Sequence, residues 1–224
     1  MKAIQWKEDR LVLLDQRHLP HKTNFIEAQT VHHVAEAIRN MVVRGAPAIA
    51  ISAAYGMALA VKHGVPRNEA HERLLQARPT AVNLRWALKR LATLPDSEIE
   101  EEAVRIHEED LAINHALAQN GSPLLQGNVI TICNTGSLAT SGHGTALGMI
   151  HTAHKNNSNI HVYALETRPY LQGARLTTYE CQQAGIPCTL VTDSMAASLM
   201  QKQQIHDVNP LGWQSGLDSD PPKQ

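Results

Sequence analysis

The sequence contains few aromatic residues and carries almost no net charge. Aromatic side chains make up 4% of the 224 residues, and the formal net charge is -1 at pH 7. Surfaces that bind nucleic acids need aromatic rings for base stacking and basic side chains for phosphate contacts. We therefore expect no nucleic-acid partner. The same charge balance gives no support for binding to an anionic membrane surface.

Long apolar runs, a signal peptide and a cysteine framework are also missing. The longest apolar stretch, residues 46–61, is shorter than the roughly 20 residues of a membrane-spanning helix. We expect it to form a buried helix, with no membrane partner. The first residues lack the apolar core of a signal peptide. Cys133, Cys181 and Cys188 show neither metal-ligand spacing nor an even disulfide count, which predicts a reduced, cytoplasmic protein without a metal site.

The first 121 residues have a mainly helical pattern preceded by a hairpin. Two short strands, residues 3–7 and 11–14, flank a charged turn. A helix follows Thr30 as its N-cap, and Ser97 with Glu100 fits the capping box of a later helix that ends at Asn120-Gly121. We therefore predict a first domain over residues 1–121, helical with a small antiparallel sheet.

From residue 122 the pattern changes to alternating strands and helices. Strands are expected at 129–132, 160–165 and 188–192, and helices at 145–154, 173–184 and 195–202. This order predicts a parallel sheet with right-handed crossovers, as a partial Rossmann-like domain over residues 122–208. A fourth strand begins within 205–208 and stops at Asn209-Pro210. Residues 209–224 are polar and rich in turn formers, so we expect a disordered tail.

The three expected strands each end in residues with reactive or charged side chains. Cys133 follows the first strand, Glu166 and Arg168 follow the second, and Asp193 follows the third. The carboxyl ends of parallel strands lie at one sheet edge, where ligands bind in open α/β sheets. A polar site is therefore expected there. From the residues alone, Cys133 remains either a reactive thiol or a buried structural cysteine.

Two arginines precede expected helix starts in the first domain. Arg44-Gly45-Ala46-Pro47 leads into the apolar helix, and Arg78-Pro79 leads into a helix containing Leu84. Free N–H groups at a helix start and a forked guanidinium suit a phosphate group. The alternative for Arg44 is that it pairs with a surface carboxylate, and the motif at Arg78 is weak alone because Arg-Pro loops are common.

Six short motifs in this order resemble the methylthioribose-1-phosphate isomerase family. That family belongs to a superfamily with ribose-1,5-bisphosphate isomerase and the regulatory subunits of translation initiation factor 2B. The motifs are Arg44-Gly45-Ala46-Pro47-Ala48-Ile49, Arg78-Pro79-Thr80-Ala81-Val82-Asn83, Cys133-Asn134-Thr135-Gly136, Gly144-Thr145-Ala146-Leu147-Gly148, Glu166-Thr167-Arg168-Pro169 with Gln172-Gly173-Ala174-Arg175-Leu176, and Thr192-Asp193-Ser194-Met195.

The resemblance implies an aldose–ketose isomerase, an intramolecular oxidoreductase of methionine salvage. Its substrate would be the sugar phosphate 5-methylthioribose 1-phosphate and its product 5-methylthioribulose 1-phosphate, with no cofactor and with a homodimer as the assembly. Cys133 matches the catalytic cysteine. The positions that match substrate-binding residues are Arg44, Gly45, Ala46, Arg78 and Gln172. Whether hydrogen moves by a proton relay or a hydride shift stays open.

Two departures from the family pattern bear on activity. Ile132 stands where the family usually has a histidine. The Gly-Ala-Asp and Ala-Asn-Lys motifs, which supply the catalytic aspartate and further substrate contacts, are not found after about residue 208. We therefore expect a truncated or frameshifted copy with little or no activity. The alternatives are a non-catalytic regulatory or binding subunit like those of factor 2B, and an isomerase of another phosphorylated pentose.

Overall fold

The chain folds into two compact units. The computed structural model describes residues 2–156, 159–202 and 205, and the backbone of residues 207–209. The first unit contains residues 2–112 and Leu138–Gly142, and the second contains residues 113–137 and the described residues from His143 onward. The sequence predicted a boundary after residue 121. The observed boundary lies instead after Ala112, inside a long helix, and the five residues Leu138–Gly142 also belong to the first unit.

The first unit combines a three-stranded sheet with helices. The strands are antiparallel in the order β1-β2-β3, and β3 and α3 are elements that sequence patterns did not predict. The elements are β1 Ile4–Lys7, β2 Arg10–Leu14, β3 Phe25–Ala28, α1 Val31–Arg39, α2 Ala46–Lys62, α3 Arg67–Ala77, α4 Val82–Ala92 and α5 Ile99–Gly121, the last of which continues into the second unit.

Helix α2 forms the centre of the first unit, as its composition predicts. Every residue from Ala48 to Ala60 is buried. A helix that is apolar on all sides is stable in water only when other elements cover it. Leu74 of α3, Leu88 of α4 and other apolar side chains belong to the same core. Among the described residues, no helix is both long and apolar enough to cross a membrane.

One expected helix start needs correction, and the expected end of α5 at Gly121 is confirmed but has a different cause. Thr30 does cap α1, because its side chain accepts a hydrogen bond from the His33 N–H. The capping box at Ser97 and Glu100 is wrong: a short 3-10 turn precedes α5, and the Glu100 carboxylate accepts a bond from the Trp6 indole N–H instead. Gly121 is not left-handed, with φ of -91°. A Cβ there would lie 2.2 Å from Cε of Met149, so the Met149 side chain packs directly against this glycine.

The second unit contains a parallel sheet with helical crossovers, which confirms the predicted fold class. The strand order is β6-β5-β4-β7. Two expected helices begin irregularly: a π-helical turn, Gly173–Thr177, precedes α7, and a 3-10 turn, Asp193–Met195, precedes α8. The elements are β4 Asn128–Thr131, α6 Ala146–Lys155, β5 His161–Leu165, α7 Thr178–Gln183, β6 Cys188–Val191, α8 Ala196–Gln201 and β7 Asp207–Asn209.

The strand order creates a switch point at the carboxyl end of β4. The chain moves from β4 to β5 and then to β6, and β7 afterwards pairs with the opposite side of β4. In open α/β sheets such reversals leave a crevice where ligands bind.

The fourth strand expected from the sequence is present as β7, over Asp207–Asn209. Apart from Asn209, whose backbone lies in β7, the expected tail over 209–224 falls outside the described residues.

Candidate active site

Cys133 lies just beyond β4, at the switch point of the parallel sheet, and its thiol is free and partly buried. Its backbone has φ of +66°, a left-handed conformation. A side chain with a Cβ pays roughly 1–2 kcal/mol for this conformation. Local contacts must therefore hold the residue in place.

Two threonines hold the Cys133 backbone from both sides. The Cys133 N–H donates to Thr167 Oγ1 at 2.8 Å, and Thr177 Oγ1 donates to the Cys133 carbonyl at 2.5 Å. Both threonines belong to the stretch between β5 and α7. The structure therefore brings Cys133 together with the segment that carries Gln172.

A buried carboxylate fixes the residues after Cys133. Glu180 of α7 is 9% exposed, and it accepts hydrogen bonds from Asn134 Nδ2 at 2.8 Å, from the Ser137 N–H at 2.7 Å and from Ser137 Oγ at 2.5 Å. A Cβ at Gly136 would collide with the same carboxylate. Since hydrogen bonds to charged groups are among the strongest in proteins, Glu180 is the main anchor of this turn.

Thr135 connects the turn to the start of α6. Its Oγ1 accepts from the Leu147 N–H at 3.0 Å, and its carbonyl accepts from the Thr145 N–H at 2.8 Å. These N–H groups lie at the start of α6. The protein itself occupies them, so they are not open to an anion.

The ends of β5 and β6 meet as expected. Thr167 has φ of +59°, and the Asp193 carboxylate accepts from the Thr167 N–H at 2.8 Å and from the Arg168 N–H at 2.9 Å. The Arg168 side chain is instead exposed and paired with Glu166 at 3.3 Å. The polar edge therefore consists of the thiol, threonine hydroxyls and carboxylates, and Arg168 contributes its backbone.

Gln172 lies immediately before the π-helical turn. Its Oε1 is buried and has no hydrogen-bond partner among the residues that the structure describes. An unpaired buried carbonyl oxygen costs roughly 1–3 kcal/mol, so such groups often receive a ligand or water. Gly173 follows, and a Cβ there would overlap the Leu165 carbonyl. The backbone around Gln172 is thus closely packed against the end of β5.

The motif at Arg44 forms the start of α2 in the first unit. Arg44 is 9% exposed, Gly45 is the N-cap residue with φ of +95°, and Pro47 occupies the first turn. The Ala48 N–H donates to the Ala139 carbonyl at 3.1 Å. A Cβ on Gly45 would lie 2.5 Å from that same carbonyl, so only glycine allows this approach.

Arg78 ends α3 and is partly buried. Its carbonyl accepts from the Ala81 N–H at 3.0 Å. Among the described residues, its guanidinium makes no ion pair and no hydrogen bond, whereas most arginines of the first unit are paired.

The other cysteines and the histidines differ from Cys133. Cys181 is fully buried, and a hydrogen bond with Cys188, followed by burial, raises the pKa of its thiol. His143 is partly buried, with its ring centroid 4.4 Å from His115 and 5.9 Å from His151. Within the described ranges, no group of three or more His, Cys, Asp or Glu side chains is arranged to hold a metal.

Sequence reasoning missed the side chains that hold the turn, namely Thr167, Thr177 and Glu180. One signal was available for Glu180. It lies four residues after the buried Leu176, on the face of α7 that packs inward. A carboxylate on an apolar helix face must be paired or hydrogen-bonded, which makes it a candidate anchor.

Comparison with known proteins places the chain in a family. The model of the Initiation factor 2 subunit family matches residues 42–209. A curated relative, methylthioribose-1-phosphate isomerase 2 of Pseudothermotoga lettingae, is 46% identical over 91% of this chain and 65% of its own length. The chain thus spans about two thirds of the length of the curated relatives it matches.

Solved structures show the same likeness. The crystal structure of 5-methylthioribose 1-phosphate isomerase from Pyrococcus horikoshii aligns with a TM-score of 0.84 at 36% identity, covering 92% of this chain and 64% of that one. The translation initiation factor eIF-2B subunit delta from A. fulgidus aligns with a TM-score of 0.78 at 39% identity, covering 93% and 67%. By its sequence and its fold, this chain belongs to the Initiation factor 2 subunit family.

Proposed function

We propose that this chain contributes sugar-phosphate binding and the reactive thiol to a methylthioribose-1-phosphate isomerase. The observation that carries the proposal is Cys133, held in a left-handed conformation at the switch point of the sheet. Curated relatives and a solved structure with this name support it. The reaction converts 5-methylthioribose 1-phosphate to 5-methylthioribulose 1-phosphate in methionine salvage.

Each proposed residue has a role that suits the substrate. Arg44, Arg78 and the N–H groups at Gly45 and Ala46 bind the phosphate, because guanidinium forks and helix starts suit anions. Gln172 donates to or accepts from a sugar hydroxyl through its amide. These contacts hold the substrate while its ring opens.

Cys133 acts at the carbon atoms that exchange hydrogen. Isomerisation moves hydrogen between C1 and C2 of the sugar, and a thiol or thiolate beside these carbons serves as base or stabilises the transition state. A base must lie within hydrogen-bond reach of the proton it removes. The rigid backbone of Cys133 is suited to that requirement.

Binding of the sugar phosphate is the direct test. Isothermal titration of the 224-residue protein with 5-methylthioribose 1-phosphate should give saturable binding, and Arg78→Ala should weaken it about 10–100-fold, the range for hydrogen bonds to charged groups. Arg39→Ala is the matched control, since Arg39 is an exposed arginine of the same unit. Equal affinity for the Arg78 variant and the unchanged protein would contradict the assignment.

Turnover is a separate measurement. The Gly-Ala-Asp and Ala-Asn-Lys motifs of the family are not in the 224 residues, so we keep the prediction of little or no ketone product. Carbon NMR of the substrate incubated with the protein measures it. Product formation at the rate of a full-length relative would show that other residues replace the aspartate.

The proposal extends to assembly and location. We infer a homodimer in the cytoplasm that has a small-molecule substrate and no nucleic-acid partner. Light scattering after size-exclusion chromatography measures the mass in solution. A monomer mass at all protein concentrations would remove the dimer from the proposal.

A second function is favoured by one comparison. The subunit delta of eIF-2B from A. fulgidus is 39% identical to this chain, which suits a non-catalytic regulatory subunit. A pure binding subunit needs no free thiol in a strained conformation, and Cys133 therefore favours the isomerase. Absence of sugar-phosphate binding, together with capture of initiation-factor subunits, would reverse this ranking. A phosphorylated pentose without the methylthio group, titrated in parallel, tests the third alternative.

A further inference from the structure

We propose that Asp193 is a positioning residue that sets the orientation of the Cys133 thiol through Thr167. The inference deepens the proposed function, because it concerns the same thiol. It concerns only groups within the second unit: Asp193 follows β6, Thr167 follows β5, and Cys133 follows β4.

The first step is the contact between Asp193 and the backbone after β5. Its two carboxylate oxygens accept from consecutive N–H groups, Thr167 at 2.8 Å and Arg168 at 2.9 Å. Two bonds from one carboxylate restrict both peptide planes. Thr167 is thereby held at φ of +59°, a conformation that branched side chains rarely adopt.

The second step is the orientation of the Thr167 hydroxyl. Its Oγ1 donates to the Leu165 carbonyl at 3.2 Å and accepts from the Cys133 N–H at 2.8 Å. Because the donated proton points to Leu165, a lone pair of the oxygen is directed at Cys133. The backbone conformation of Thr167 determines where this oxygen lies.

The third step is the dependence of Cys133 on that oxygen. Cys133 has φ of +66° and a Cβ, so its conformation persists only while neighbouring groups stabilise it. Loss of the bond to Thr167 leaves the Cys133 N–H without its acceptor. The backbone then relaxes toward ordinary φ values, and the thiol changes direction.

A pair of similar substitutions tests the connection. Thr167→Val keeps the branched shape and removes the hydroxyl, whereas Thr167→Ser keeps the hydroxyl. We expect the rate constant for alkylation of Cys133 by iodoacetamide to change about fivefold in Thr167→Val, the equivalent of one hydrogen bond. The rate and its pH profile should move toward the values of the urea-unfolded chain, and Thr167→Ser should restore the original values.

Peptide mapping by mass spectrometry separates Cys133 from Cys181 and Cys188. Thermal unfolding checks that each variant is folded. If Thr167→Val does not fold, Asp193→Asn provides the second test. The NH2 group of asparagine cannot accept a hydrogen bond, so one of the two N–H donors, on Thr167 or Arg168, loses its acceptor. This variant should move the alkylation profile in the same direction as the valine variant.

Two results would overturn the proposal. One is an unchanged alkylation profile in folded Thr167→Val or Asp193→Asn, and the other is an equal change in Thr167→Ser. The measurement uses no sugar phosphate. A changed thiol without sugar-phosphate binding would therefore uphold the positioning role and reject the proposed function.

Discussion

The long loop between β4 and α6 has two halves that are stabilised by different parts of the chain. Residues 133–137 belong to the second unit, where Thr167, Thr177 and Glu180 hold them. Leu138–Gly142 belongs to the first unit. Ser137 and Leu138 are adjacent in the chain, but their hydrogen-bond partners lie in different units.

The partners of the second half lie 31 to 122 residues earlier in the chain than the loop residues they bind. Gln16 Nε2 donates to the Leu138 carbonyl at 2.8 Å, and Asp110 accepts from the Ser141 N–H at 2.9 Å. His107 Nε2 lies 3.0 Å from the Ser141 carbonyl. The first half is thus held by groups later in the chain, and the second half by groups earlier in the chain.

This difference shows why the loop can be long and still ordered. Fourteen residues, 132–145, separate β4 from α6, whereas connections in α/β units usually have about 2–6. Ordering each residue costs roughly 1–2 kcal/mol of conformational entropy. Buried polar contacts on both halves offset that cost, so substitutions can weaken one half without touching the partners of the other.

The largest expected effect is on the second half, from Gly45→Ala. A Cβ there would lie 2.5 Å from the Ala139 carbonyl, and φ of +95° is unfavourable for alanine. Overpacking and strain together should lower the free energy of unfolding by about 3 kcal/mol. Urea denaturation measures this change.

Gly64→Ala is the matched control for that substitution. Gly64 has φ of +66°, and no atom lies within 4 Å of an added Cβ. Only the backbone strain remains, so we expect a loss of about 1 kcal/mol. Equal losses at both positions would show that the approach of Ala139 to α2 contributes nothing.

On the first half, Glu180→Gln should have the next largest effect. The glutamine amide keeps one acceptor oxygen, but its NH2 group opposes one of the donors on Asn134 or Ser137. A buried donor left without an acceptor costs roughly 1–3 kcal/mol, and we expect a loss of about 2 kcal/mol in urea denaturation.

An exposed glutamate provides the comparison for this variant. Glu108→Gln removes a charge at a solvated position and should change the stability by less than about 0.5 kcal/mol. If Glu180→Gln were as mild as Glu108→Gln, the carboxylate would not be the anchor of the first half.

A smaller effect is expected where the loop meets α6. Thr135→Val removes the oxygen that accepts from the Leu147 N–H and leaves the shape unchanged. Loss of a capping acceptor typically costs about 1 kcal/mol. Thr135→Ser should retain most of the stability in the same urea experiment, and a loss equal to that of valine would assign the effect to packing instead.

The fold and part of the site were predictable because they depend on local patterns. Alternating strands and helices predict the parallel sheet, and Cys133 directly follows an apolar strand. Sequence patterns missed one strand, β3, in which Ala28 is buried and the large apolar side chain of Phe25 is exposed, so no apolar alternation marks it. The π-helical turn at Gly173–Thr177 was likewise predicted as ordinary helix, because it has the same apolar spacing.

The hydrogen bonds that the loop anchors make could not be predicted, since they form between residues far apart in the chain. Glu180 lies 43 residues from Ser137, and an acidic residue on a helix is usually solvated. The predicted capping box is wrong for the same reason. The Glu100 carboxylate accepts a hydrogen bond from the indole N–H of Trp6, which lies 94 residues earlier in the chain. Local rules identify candidate partners, whereas tertiary packing decides which bonds form.

The last expected effect depends on pH and concerns His143, which follows the second half of the loop and belongs to the second unit. Burial, then the charges of His115 and His151, lowers the pKa of His143 from 6.5 to about 4. Between these values the unfolded chain binds a proton that the folded chain rejects. The free energy of unfolding should therefore decrease as the pH falls from about 6.5 to about 4.

His143→Gln tests this pH dependence, because glutamine keeps a polar group near Thr152 and cannot take up the proton. Urea midpoints at about pH 7.5 and about pH 5 should differ less in this variant than in the unchanged protein. His21→Gln, at an exposed position, should leave the difference as it is. An unchanged difference between the two midpoints in His143→Gln would mean that His115, His143 and His151 do not set the acid sensitivity, whereas a reduced difference makes His143 the main acid-sensitive point of the loop.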